Sequence, residues 1–264
     1  MEKNLIEIIK FLSLVGHKYV KNNLSIIDLF KLRTDPIFGL KLFFFYWAYE
    51  RQGASTGYKI AAIKAVSTGF PNNIPNEFKK YYKGKSNKKR NPALDSRINE
   101  LNIPSIISLV EKLDFNTAFD RLNLKGLAHK IRAFFLRDIT YLLGIEKEKI
   151  SFKDYIYLMP IDVWVRDTIS GLNLKDSIDI SKENQNQYKW SDFDFTTKDD
   201  YLMALLLIKS SQLADVCPLL TNMGIWYFCS KCISDNGRLT EILEKKDVKI
   251  LQEEISLISP FDEV

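Results

Sequence analysis

NTAFDRLNLKGLAHKIRAFFLRDIT, residues 116–140, is the stretch on which the reading of the fold turns. Phe119 and Leu122 lie one helical face apart from the polar residues around them, and Ile131, Phe134, Phe135 and Ile139 take up an apolar face again after a break. The break is LKGLAHK, residues 124–130, so the spacing predicts helix, tight hairpin, helix. Gly126 lets the backbone take φ > 0 in the turn and approach a ligand closely. Successive amides at the start of the second helix can then hold an anion, and a DNA phosphate is the natural candidate. Lys130 is the odd residue. A helix dipole favours negative charge at its N-terminus, so a cation there either points into water or has chemistry to do.

Outward from this stretch, helical periodicity dominates. Helices are expected near 3–21, 24–32, 37–51, 56–67, 103–113, 116–123, 129–143, 152–158, 162–170, 198–213, 217–233 and 237–257. No run alternates strictly, and IDISK at 178–182 is too short to count as a strand. The expected fold is therefore all-α. Nearly half of the 264 residues are apolar, enough for one large core or two modest ones.

Two stretches interrupt the pattern. Residues 76–97, NEFKKYYKGKSNKKRNPALDSR, crowd Lys79, Lys80, Lys83, Lys85, Lys88, Lys89 and Arg90 around Tyr81 and Tyr82. Such a run is either a solvated loop or a loop that contacts phosphates and gains affinity by releasing counterions. Residues 173–200 are polar and acidic and read as a connection. The formal charge of +5 and the pI near 8.9 are compatible with a nucleic-acid partner. The N-terminal stretch is amphipathic rather than a signal peptide, and LFFFYWAY and YLMALLLI are too short to cross a bilayer. A cytoplasmic, nucleoid-associated protein without membrane attachment is expected. Of three cysteines, Cys229 and Cys232 form a CxxC, and neither histidine is near them in sequence. A closed zinc or iron–sulfur site usually needs four ligands, so no metal site is expected.

The hairpin resembles that of the helix-hairpin-helix DNA glycosylases, the superfamily of endonuclease III and the 8-oxoguanine glycosylases, and among them the archaeal 8-oxoguanine enzymes most. Their hairpin runs leucine, proline, glycine, any, glycine, any, lysine. Here Leu124, Gly126 and Lys130 match, while Lys125 replaces the proline and Ala128 the second glycine. The family also places an aspartate at a helix start after a short apolar loop. Residues 158–169, LMPIDVWVRDTI, put Asp162 in that place, where it is also an ordinary N-cap.

The resemblance implies two helical domains flanking a DNA-binding cleft, residues 1–55 with 166–264, and residues 56–165 carrying the hairpin. It implies base-excision repair: removal of an oxidised purine, 8-oxoguanine first, with apurinic-site lyase activity and no cofactor. Lys130 would be the nucleophile and Asp162 its assistant. Leu124, Gly126, Ala128 and His129 would form the phosphate-binding hairpin, with Lys85, Lys88, Lys89 and Arg90 along the backbone. Gln52, in the junction FFFYWAYERQGASTGYKIAAIKAV, falls where the family fills the gap left by an extruded base. Tyr46, Trp47 and Tyr49 are wedge or core aromatics. Trp226, Asp215 and Gln212 are candidates for the base pocket, and Trp226 reads also as a core residue. The partner would be double-stranded DNA carrying a damaged base, bound by a monomer. Three other readings stay open: a glycosylase for a different damaged base, a helix-hairpin-helix protein that holds DNA without chemistry, and a helical scaffold whose basic loop is only solvated.

Overall fold

The structure, a computed structural model, describes residues 1–48, 55–82, 94–178, 180, 188–232 and 243–256. Among the described residues every regular element is helical, so the fold is all-α. Packing divides the chain into two compact units, Met1–Ile26 with Glu146–Val264, and Ile27–Ile145.

In the first unit, α1 (Lys3–Tyr19) buries Leu5, Ile8, Ile9, Leu12 and Val15, the stripe that its 3–4 spacing predicts. It runs on into a π-helical turn, Val20–Leu24. Its main partner is a C-terminal helix, Pro218–Cys232. The two backbones touch at glycines. A Cβ on Gly224 would lie 1.7 Å from the Leu12 carbonyl oxygen, and one on Gly16 would lie 2.2 Å from that of Leu220. Only hydrogen fits at either place.

The second unit begins with α2 (Leu29–Thr34) and α3 (Pro36–Phe43). Asp28 caps the first and Asp35 the second, with Pro36 in the opening turn where its missing N–H costs nothing. A π-helical turn, Phe44–Ala48, extends α3. Next come α4 (Ser55–Gly69), α5 (Ile74–Tyr81), α6 (Ile103–Glu111), α7 (Phe115–Arg121) and α8 (His129–Leu142). Periodicity does not predict α5, because Lys79 and Lys80 open the basic stretch. The helix forms because Ile74 and Phe78 bury one face and Glu77 accepts hydrogen bonds from Asn73, Thr68 and Lys80.

The remaining helices complete the first unit: α9 (Phe152–Tyr157), α10 (Val163–Gly171), α11 (Leu174–Ser177), α12 (Lys198–Leu213), α13 (Pro218–Cys232) and α14 (Val248–Ser256). Arg166 on α10 pairs with the buried Asp200 on α12 at 2.6 Å, and this pairing raises the Arg166 guanidinium above its ordinary value. Of the helix expected at 237–257, residues 248–256 form α14, and 237–242 and 257 lie outside the described residues.

The unit boundaries fall at 26/27 and 145/146, not at 55/56 and 165/166. Helices α2 and α3 belong with the hairpin stretch because both pack on α6: Arg33 pairs with Glu111 at 2.7 Å, and a Cβ on Gly39 would lie 2.9 Å from the Ile103 Cβ. Residues 146–165 belong to the first unit because α9 packs on α12 and α10 on α12 and α13. Among the described residues no single helix is long and apolar enough to cross a membrane; α12 and the following helix reach that composition only together, across a bend of 112°.

Candidate functional site

The segment between α7 and α8 is built by its buried leucines. Leu122, Leu124 and Leu127 are buried, which pins the chain on both sides of the turn. The Leu127 N–H donates to the Leu124 carbonyl at 2.9 Å, closing a four-residue turn. Gly126 is its third residue and has φ 95°, the left-handed value that a type II turn requires there. Lys125, the second residue, donates its backbone N–H to an Asp95 carboxylate oxygen at 2.6 Å. That carboxylate is held well below the usual range, first by the hydrogen bond from the Arg97 guanidinium and then by the backbone amides of Lys125 and Arg97.

Helix α8 then starts without a side-chain cap, because Ala128 in the N-cap position has no oxygen to offer. The residues here divide cleanly. Lys125, Gly126, Ala128 and Lys130 are exposed, while Leu124, Leu127 and His129 face inward. The His129 ring packs on Phe119 with centroids 5.1 Å apart, and the Arg132 guanidinium lies 4.1 Å from the centre of the same ring. Of the four hairpin residues singled out by sequence, Gly126 and Ala128 therefore present themselves at the surface. The side chains of Leu124 and His129 hold the turn from within. His129 and Arg132, which flank Lys130 closely in the sequence, are both buried, whereas Lys130 is exposed at the second position of the helix.

Behind that start, α8 carries an unusual interior. Arg137 and Asp138 are fully buried and bonded to each other, Nε at 2.9 Å and Nη2 at 2.7 Å from one Asp138 oxygen. The other oxygen accepts the Trp47 indole N–H at 2.9 Å. The Trp47 ring also meets Phe135 at 5.0 Å. Trp47 is thus a core residue that ties the π-helical turn after α3 to α8.

Asp162 lies in the first unit, half-buried at the start of α10. One of its carboxylate oxygens accepts the Val165 N–H at 3.0 Å, so it caps the helix. The loop that delivers it, Leu158–Ile161, is buried. The fully buried Asn222 on α13 donates its amide N–H to the Pro160 carbonyl at 3.2 Å and fixes that loop.

The three expected base-pocket residues have different neighbours. Asp215, in a left-handed turn at φ 56°, has a side chain 93% exposed and pairs with Lys147 at 2.9 Å. It lines an open cavity of about 380 Å³ with Lys10, His17, Lys147 and Cys217, and neither Gln212 nor Trp226 is among the residues lining it. Gln212 is exposed in the last turn of α12. Trp226 is half-buried on α13, edge-on to Tyr19 at 5.5 Å. A larger cavity, about 600 Å³ between α11 and α12, holds none of the expected site residues. Gln52, Tyr49, Lys85, Lys88, Lys89 and Arg90 lie outside the described residues. Among the described residues no three histidine, cysteine or acidic side chains converge as a metal site.

Two residues that organise these places carried no signal in the sequence, Asp95 and Asn222. Each acts through one long-range hydrogen bond, and no periodicity reports such a bond. No protein-family model, characterised protein or solved structure matches the chain.

Proposed function

We propose that the protein is a DNA glycosylase with apurinic-site lyase activity, acting on duplex DNA that carries an oxidised purine, with 8-oxoguanine as the first substrate to test. The segment α7–turn–α8 is read as a helix-hairpin-helix motif. What supports this is one arrangement: a glycine turn at φ 95° leading to an exposed, uncapped helix start with a lysine at its second position. A helix start that Ala128 does not cap is suited to a backbone phosphate. The Lys130 amine, once deprotonated, attacks the sugar C1′ as the damaged base departs. The resulting Schiff base allows β-elimination of the 3′ phosphate. The Asp162 carboxylate stabilises positive charge developing on the sugar or takes the proton that the amine loses.

The test is strand cleavage of duplex DNA containing a single 8-oxoguanine, with wild type, Lys130→Gln and Asp162→Asn side by side. Wild type should release the base and nick the strand, and both variants should lose the activity. Equal nicking by wild type and Lys130→Gln would sink the assignment. A module that holds DNA without chemistry is the second reading. It is favoured by the capping bond of Asp162, which gives that residue a structural task. It predicts duplex binding by wild type and Lys130→Gln alike, with no cleavage by either.

A further inference from the structure

Asp95 has a place in the fold that its position in the sequence does not announce. It caps the short 3₁₀ turn Ser96–Glu100. One carboxylate oxygen accepts the Arg97 backbone N–H at 3.0 Å and its Nε at 3.3 Å. The other accepts Arg97 Nη2 at 2.8 Å and, from 30 residues further along the chain, the Lys125 N–H at 2.6 Å. Lys125 is the residue before Gly126, so this bond fixes the peptide on which the left-handed turn hangs. A bond to an ionised acceptor is about twice as strong as a neutral one. A carboxylate beside a phosphate site is unfavourable by charge alone. Here Arg97 neutralises it, and the Arg97 side chain remains 55% exposed.

We infer that Asp95 is a positioning residue for phosphate binding: it sets the turn through the Lys125 amide and holds Arg97 beside that turn as a further phosphate-contacting cation. This rests on the DNA reading above. It names a residue and a cation outside the family-like motif. It also accounts for a hairpin that keeps its shape with Lys125 where a proline would otherwise set φ.

The sign of one measurement separates this from a simple surface charge. Asp95→Ala removes the acceptor and one negative charge. Asp95→Asn removes the same charge but keeps an oxygen for the Lys125 N–H. If Asp95 were only a charge near DNA, both variants would bind duplex more tightly, by a similar factor. If Asp95 positions the turn, Asp95→Ala binds about tenfold more weakly, while Asp95→Asn stays within about threefold of wild type. The measurement is fluorescence anisotropy with a duplex carrying a tetrahydrofuran abasic analogue, across a salt series. Arg97→Ala should lower the slope of log affinity against log salt by about one contact.

Tightening of both Asp95 variants, or equal weakening of both, overturns the inference, and an unchanged slope in Arg97→Ala removes the part given to Arg97. Amide hydrogen exchange on the same proteins guards against a folding artefact. In Asp95→Ala the amides of Lys125 and Leu127 should exchange faster, with the interior of α6 and α8 unchanged. Loss of protection throughout the unit would make Asp95 a general stabiliser and contradict the positioning role. Absence of salt-dependent binding by wild type would instead strike the DNA reading itself. Normal wild-type binding with an unaffected Asp95→Ala removes this inference alone.

Discussion

Two helices of this protein begin in opposite ways. Helix α10 starts closed: Asp162 caps it, and the buried loop before it is fastened by Asn222. Helix α8 starts open: Ala128 cannot cap it, and the residues at the surface are a glycine, an alanine and two lysines. The amides of a helix start need a partner, which can be a side chain, water or a ligand. At α10 the chain supplies its own. At α8 no side chain from the N-cap position does so, and under the proposed function a phosphate would take that place. The two residues with proposed chemistry therefore stand in different settings. Lys130 is an addition to a helix start with no use for it, since its charge opposes the dipole. Asp162 already stabilises the helix that it begins.

The contrast can be broken from inside the open helix. Asp138→Ala should leave Arg137 buried without its carboxylate, at a cost of about 3–5 kcal/mol. The denaturant midpoint should fall accordingly, and amide exchange should rise first along α8. A loss below 1 kcal/mol would mean that the Trp47–Asp138–Arg137 network does not support α8.

A smaller effect separates capping from chemistry at α10. Asp162→Ala should lose about 1 kcal/mol of stability through the missing cap. Asp162→Asn, which can still cap, should keep its stability and lose base release. Lys130→Gln should leave stability within about 0.5 kcal/mol, because an exposed side chain with no structural task is removed. If Asp162→Asn remained as active as wild type, the carboxylate would be a cap and nothing more.

The smallest change tests the open start directly. Ala128→Ser supplies the missing cap and should stabilise the protein by about 0.5–1 kcal/mol. The same hydroxyl would compete for the amides, so duplex affinity should fall as stability rises. A rise in both would show that the amides of α8 are not the anion site.

Much of this was legible in the sequence, and the gaps have physical causes. The apolar stripe of α1 and the paired faces around Gly126 are periodic, and periodicity survives in a sequence. Helix α5 was hidden because the charge of Lys79 and Lys80 outweighs the two residues, Ile74 and Phe78, that bury its face. The exposure of Gly126 follows from the turn it makes, but the inward rotation of His129 onto Phe119 depends on tertiary packing. The unit boundaries were misplaced because α2 and α3 are held by contacts with α6, some 70 residues away in the chain. Asp95 looked like one more acid after a basic run. Asn222 sits in an apolar helix, where a lone polar residue is easily passed over. Trp226, Gln212 and Asp215 are close in sequence but have different neighbours, and the left-handed turn at Asp215 that separates their helices is not periodic.

The most direct measurement is borohydride trapping on duplex DNA carrying one 8-oxoguanine, with wild type beside Lys130→Gln. Borohydride reduces a Schiff base to a stable amine and so fixes enzyme to DNA. The account predicts a covalent adduct with wild type and none with Lys130→Gln, which would make the lysine at the open start of α8 the nucleophile. An adduct of equal yield from both proteins would contradict that role, and no adduct from wild type on this duplex or on an abasic site would contradict the lyase itself.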